Sequence, residues 1–245
     1  MRRAWRLGAL VLLCALSLQL YFLARIALMN VVDPQSTTFQ RSEIWRLATT
    51  KGTVAWSQGW RPYPRIADTL KRAVIASEDA RFADHSGVEW DAIEAAWNRN
   101  QRAEERAERQ GAGAVAGRPP RGARLVGGST ISQQLAKNLF LSGERNLARK
   151  GQEFMLTMML EGLLSKQRIL EIYLNNVEWG EGLFGAQAAA RHYFRVDADR
   201  LGPQQAAQLA VMLPAPKRFE KNPSSGYVQD RAATVAARMG GVELP

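Results

Sequence analysis

The sequence predicts a mostly α-helical body carried behind a single N-terminal membrane span. Three observations lead there: one long charge-free apolar run near the start, helical spacing of apolar residues through most of the remainder, and a near absence of alternating strand patterns. The run is LGALVLLCALSLQLYFLA, residues 7–24, and IALM continues it beyond Arg25. A bilayer core takes about 20 apolar residues, so this length fits, with Arg25 reaching back to the interface. Trp5, Tyr21 and Phe22 suit the interfacial belts. A cleaved signal peptide is the rival reading. It needs small residues two apart just after the apolar core, whereas YFLARIALMN offers Ala24 and Ala27. Residues 1–29 are therefore read as a cytoplasmic tip and an uncleaved anchor. Arg2, Arg3 and Arg6 favour a cytoplasmic N-terminus, which places the body outside the cytoplasm.

Residues 30–67 read as an irregular connector punctuated by Pro34, Gly52, Gly59, Pro62 and Pro64, with one helix-like segment near 42–49. Residues 68–245 form the body. Helical spacing opens it, with Leu70, Val74, Ile75 and Phe82, followed by Val88, Ile93 and Trp97. Residues 99–126 turn to Arg, Glu, Ala, Gly and Pro, and read as a frayed helix end followed by a flexible basic loop. Further helices are expected at about 130–140, 148–164, 166–176, 183–192, 203–212 and 227–239. No internal repeat is visible.

Charge narrows the partners. Lys and Arg total 33 against 23 acids, a net charge of +10. Such a surplus suits a polyanion: nucleic acid, anionic lipid or a phosphate-bearing substrate. A body outside the cytoplasm counts against nucleic acid. Cys14 is the only cysteine and His85 and His192 the only histidines, so an intrachain disulfide and a three-His metal centre are both excluded.

Three stretches could carry chemistry. In ASEDARFADHSG, residues 76–87, Glu78, Phe82 and His85 share a helical face and Asp79 lies on the next. In GGSTISQQLAKNLFL, residues 127–141, Thr130 and Gln133 form a capping-box pattern, and Thr130, Gln134 and Lys137 recur on one face. That face is either the wet side of an amphipathic helix or an anion or sugar site at a helix start. In the third stretch Glu153 follows Arg149 by four and Lys150 by three, so both cations fall on its side. A surface ion pair is the plain reading. The following FMLTMMLEGLL is apolar nearly all round, which predicts a buried helix with Met155, Met158 and Met159 as core filler. Paired carboxylates, one a base and one beside cations, suit glycosyl chemistry.

EDARFADHSG, GGSTISQQLAKNLFL, RKGQE, KQRILEIYLN and GEGLFGAQAAARHYF resemble, in order and spacing, the motifs of the peptidoglycan glycosyltransferase family, in its monofunctional form. The resemblance covers residues 68–218, and five motifs in order are highly specific. One departure is the basic loop 99–126, longer than the family spacing, which bears on loop dynamics rather than chemistry. No transpeptidase domain is expected to follow.

The resemblance implies a lysozyme-like helical domain behind the span, anchored in the bacterial inner membrane and facing the periplasm. It implies polymerisation of lipid II into β-1,4-linked glycan strands with inversion and release of undecaprenyl diphosphate. Glu78 would be the general base, and Glu153 the second glutamate near the leaving diphosphate. Lys137, Arg149 and Lys150 would bind that diphosphate, with Thr130 and Gln134 as hydrogen-bonding neighbours. Asp79, Phe82 and His85 would orient Glu78. No tightly bound cofactor is expected, though magnesium or manganese could accompany the diphosphate. Partners would be lipid II, the growing strand, membrane lipids and other cell-wall or divisome proteins. A lytic transglycosylase or muramidase, or a wall-binding scaffold, are the rival readings. The former has no use for the three cations, and the latter none for the two glutamates.

Overall fold

The structure is a computed structural model that describes residues 2–89, 129–141 and 147–245, together with Glu94 and Gln101. The expected basic loop 99–126 lies outside the described residues, apart from Gln101. Helices dominate, as the spacing predicts.

Helix α1 (Arg2–Leu28) is continuous, and its segment Trp5–Leu28 is long and apolar enough to cross a membrane. Its last turns are docked on the body: Ile26 is fully buried, as Met29 nearly is just beyond the helix. Within residues 30–67, helix α2 (Thr38–Lys51) covers the helix-like segment expected near 42–49 and begins four residues earlier. Thr37 and Gln40 make a complete capping box there, a T-x-x-Q signal that holds the helix start by satisfying two orphan backbone donors. Leu47 is buried and Thr38 Oγ1 donates to the Leu139 carbonyl at 2.9 Å, so this helix belongs to the body.

Helix α3 (Asp68–Glu78) packs on α8 (Pro203–Met212) and α10 (Gly226–Arg238) through Leu70, Val74, Leu209, Val228 and Val235. A second group holds α4 (Ile131–Phe140), α5 (Leu147–Leu163) and α6 (Lys166–Asn176). Thr130 and Gln133 cap α4 and Ser165 caps α6, as their positions predict. Helices α7 (Ala186–Phe194) and α9 (Pro216–Phe219) complete the set among the described residues.

Helix α5 departs from the expectation of a buried helix. Leu156 and Leu160 are fully buried, yet Phe154, Met155 and Met158 are 40%, 45% and 43% exposed. An all-round apolar helix can face protein on one side and lipid on the other, and α5 lies beside α1.

A small sheet of β1 (Ser57–Gln58), β2 (Glu178–Gly180) and β3 (Leu183–Phe184) braces α2 against the body in the order β1-β3-β2. Its turn needs glycine. Gly182 and Gly185 have φ of +69° and +81°, and a Cβ at Gly182 would lie 2.0 Å from the Ala55 carbonyl oxygen.

Glu178 on β2 is buried with Oε1 unbonded and Lys217 Nζ 3.5 Å away. Burial pushes its carboxyl up to about 7; Lys217 opposes this while the charges of Glu43 and Glu220 add to it. The folded state therefore holds this proton more tightly than the unfolded chain, and stability falls as pH rises from 4.5 toward 7. Glu178→Gln removes that loss. Its melting temperature should exceed wild type at pH 8, by about 2–4 °C for each kcal/mol recovered, and differ little at pH 5. An identical difference at both pH values would refute this account.

Candidate active site

Glu78 ends α3, where the chain leaves helical geometry at Asp79 (φ −161°). Its carboxylate is half-buried and held from α4: Gln134 Nε2 donates to Glu78 Oε2 at 3.0 Å. Gln134 is in turn oriented by the buried Tyr173, whose hydroxyl donates to Gln134 Oε1 at 3.0 Å. Burial raises the Glu78 carboxyl above its ordinary value. Hydrogen bonds involving Gln134 and Ser77 pull it back, and the Asp79 charge raises it further. A carboxylate so placed is, once ionised, a stronger base than a surface glutamate.

The neighbours of Glu78 in the sequence motif, and Thr130 at the start of α4, are engaged within the protein. Asp79 Oδ1 pairs with His85 Nε2 at 2.8 Å, and Asp79 Oδ2 accepts from the Ile131 backbone N–H at 2.9 Å. The Gly87 N–H donates to His85 Nδ1 at 3.0 Å, so Nε2 carries the proton toward Asp79. Thr130 Oγ1 donates to the Gly87 carbonyl at 2.7 Å. Phe82 is fully buried, with Lys166 Nζ 4.5 Å from its ring centre. Asp79, His85 and Thr130 thereby form a clasp, over the buried Phe82, that ties the Glu78 loop to the start of α4. Gly87 (φ +81°) closes that clasp against Thr157 and Glu161, each 2.7 Å from where a Cβ would stand.

The remaining expected residues converge. Gln134, Lys137, Arg149, Lys150 and Glu153 line one cavity of about 340 Å³ between α4 and α5. Glu153 is buried and pairs with Arg149 Nη1 at 3.1 Å and with Lys150 Nζ. The spacing of four and three delivers both cations to one carboxylate, as predicted. Among the described lining residues three cations stand to one acid, a balance suited to a dianion. Among the described residues no three His, Cys, Asp or Glu side chains form a metal cage.

A second cleft of about 380 Å³ opens on the other side of Glu78, with Ser77, Arg218, Tyr227 and Arg231 in its wall. Tyr227 stacks on Phe219 at 5.8 Å and 7°. Sequence reasoning missed these residues. Arg218 and Arg231 sit in ordinary amphipathic turns: Arg218 is on α9, which packs against β2, and Arg231 on α10, which packs on α3, so only the assembled fold brings both to the cleft of Glu78. Glu78 thus stands between a cationic cavity, reached through Gln134, and an aromatic and arginine-lined cleft.

A family model described as Transglycosylase matches residues 47–240. The chain is 51% identical over 230 residues to the biosynthetic peptidoglycan transglycosylase of Burkholderia thailandensis, covering 94% of this chain and 83% of that protein. It is 47% identical over 239 residues to the biosynthetic peptidoglycan transglycosylase of Paraburkholderia xenovorans, covering 98% and 92%.

Proposed function

The chain belongs to the transglycosylase family, with that family's lysozyme-like helical fold, and on this premise we propose that it polymerises lipid II at the two recesses flanking Glu78. It is a peptidoglycan glycosyltransferase of cell-wall synthesis. The observation that carries the finer reading is the partition of the site: a base at the junction, cations on one side and a sugar-sized cleft on the other.

In this reading the donor's diphosphate lies in the cavity of Lys137, Arg149 and Lys150. The acceptor's GlcNAc 4-hydroxyl reaches Glu78 from the second cleft. Glu78 takes the hydroxyl proton as the oxygen bonds to C1 of the donor MurNAc. The C1–O bond to the diphosphate breaks, and the electron pair leaves with undecaprenyl diphosphate. Attack opposite the leaving group converts an α link into a β-1,4 link. The leaving group is stable as an anion, so it needs cations rather than a proton. Glu153 holds Arg149 and Lys150 in place for it. Magnesium or manganese belongs, in this reading, to the substrate's diphosphate rather than to a protein cage. Cell-wall or divisome proteins are proposed as partners on functional grounds alone.

Purified full-length chain incubated with lipid II should give glycan polymer. Cleavage of preformed strands without polymer would instead support the lytic reading, and no reaction the scaffold reading.

The N-terminal apolar helix fits a membrane anchor. We assign it to the inner membrane with the body in the periplasm, from Arg2, Arg3 and Arg6 before the span. A reporter that works only in the periplasm, fused after Pro245, should be active. Signal from a cytoplasmic reporter alone, or a mature N-terminus near residue 28, would reverse the assignment.

A further inference from the structure

Helix α1 presents one face to the catalytic body: Gln19, Phe22, Ile26 and, just past its end, Met29, spaced three, four and three. Gln19 Nε2 donates to Gln152 Oε1 at 2.9 Å, and Gln152 Nε2 donates back to Gln19 Oε1 at 3.1 Å. Phe22 meets Phe140 edge-on at 5.3 Å. Further along, Asn30 Nδ2 donates to the Leu163 carbonyl at 3.0 Å. Gln19 and Asn30 are separated by the same number of residues as Gln152 and Leu163, namely 30 − 19 = 163 − 152 = 11. At about 1.5 Å per residue, α5 therefore runs parallel to α1, in register, for roughly 16 Å.

Gln19 lies nine residues before Leu28, inside the apolar segment Trp5–Leu28. An amide held between apolar helix faces is costly unless its donor and acceptor are both met. Here each amide meets the other's. Sliding α5 by one helical turn, about 5.4 Å, would leave both amides facing apolar surface, so the pair selects a single register. Gln152 directly precedes Glu153 and lies two residues after Lys150. The segment that is locked to the anchor is therefore the one that carries the cavity's charges.

We propose that the Gln19–Gln152 pair sets the height of the diphosphate cavity against the bilayer, so that both glutamines are positioning residues and α1 is part of the site's construction as well as its tether. The proposal rests on the reading of that cavity as a lipid-diphosphate site and of α1 as a span. A substrate held in the bilayer by its polyprenyl chain presents its diphosphate at a fixed level, and the cavity must meet it there. A short-chain analogue in solution carries no such constraint.

The test uses full-length protein in proteoliposomes with two substrates: lipid II in the bilayer, and a water-soluble analogue with a short prenyl chain. Gln19→Leu, Gln152→Leu and the double variant should each raise KM for the bilayer substrate by roughly tenfold, near the upper range for a membrane interhelical hydrogen bond. The kcat/KM for the soluble analogue and the melting temperature should stay at wild-type values. Equal losses on both substrates would mean a merely structural role and overturn the proposal. So would a double variant with wild-type KM in the bilayer, because apolar packing would then suffice. A fluorophore at Met155→Cys in a Cys14→Ala background, quenched by lipids brominated at two depths, gives a readout independent of activity. Its quenching ratio should shift in each variant, and an unchanged ratio would overturn the proposal. If wild type polymerised neither substrate while the ratio still shifted, the functional reading would fail and the positioning inference would stand.

Discussion

Glu78→Gln lowers turnover on lipid II by about 10²–10⁴-fold, the usual contribution of a positioned general base. The substitution keeps the side chain's size and its hydrogen bond to Gln134, so the melting temperature changes little. The loss should fall on kcat and kcat/KM together, since the proton moves only in the transition state. The pH dependence is a second readout. Burial raises the Glu78 carboxyl, so the wild-type rate should climb with pH through an apparent pKa above the ordinary glutamate value of 4.5. It should be lost as pH falls through that value, because only the ionised form accepts a proton. The raised pKa also means that ionising Glu78 costs the fold a little stability, the reverse of a salt-bridged carboxylate. A folded Glu78→Gln variant with near wild-type turnover, or a wild-type rate independent of pH between 4 and 7, would remove Glu78 from this role.

Local signals and long-range packing divide what the sequence made legible. The caps at Thr130 and Ser165, the span and the cation spacing around Glu153 are local, since a helix alone dictates them once its start is known. The capping box at Thr37 is equally local but is masked by the prolines and glycines of its surroundings. Other features need the assembled fold. That Asp79 would receive the Ile131 N–H depends on α4 docking end-on against the Glu78 loop. The exposure of Phe154, Met155 and Met158 could not be told from burial, because hydropathy does not distinguish a protein neighbour from lipid. Arg218 and Arg231 reach the site only through helix packing, and no spacing rule marks them.

Arg149→Ala is the second large effect. Arg149 shares the buried Glu153 with Lys150 and lines the cavity beside Lys137. Its guanidinium is the less exposed of the two cations on Glu153, at 19% against 56% for Lys150, so its charge is the less screened by water. In the proposed reaction negative charge grows on the diphosphate as C1–O breaks. Loss of one preorganised stabilising group at such a position costs about 10²–10³ in kcat. Two further consequences separate this from a general loss of fold. Glu153 loses one of its two cations while buried, so Arg149→Ala should also destabilise, whereas Arg149→Lys keeps the charge and should recover much of the stability but less of the rate, lacking the planar two-pronged fork. Lys137→Ala should raise KM as well as lower kcat, since a cation facing the bound diphosphate contacts ground and transition states alike. The charge argument requires these three profiles to differ. An Arg149→Ala protein with unchanged kcat on lipid II would show that the leaving diphosphate lies elsewhere, and identical profiles for Arg149→Ala and Arg149→Lys would leave the charge without a role.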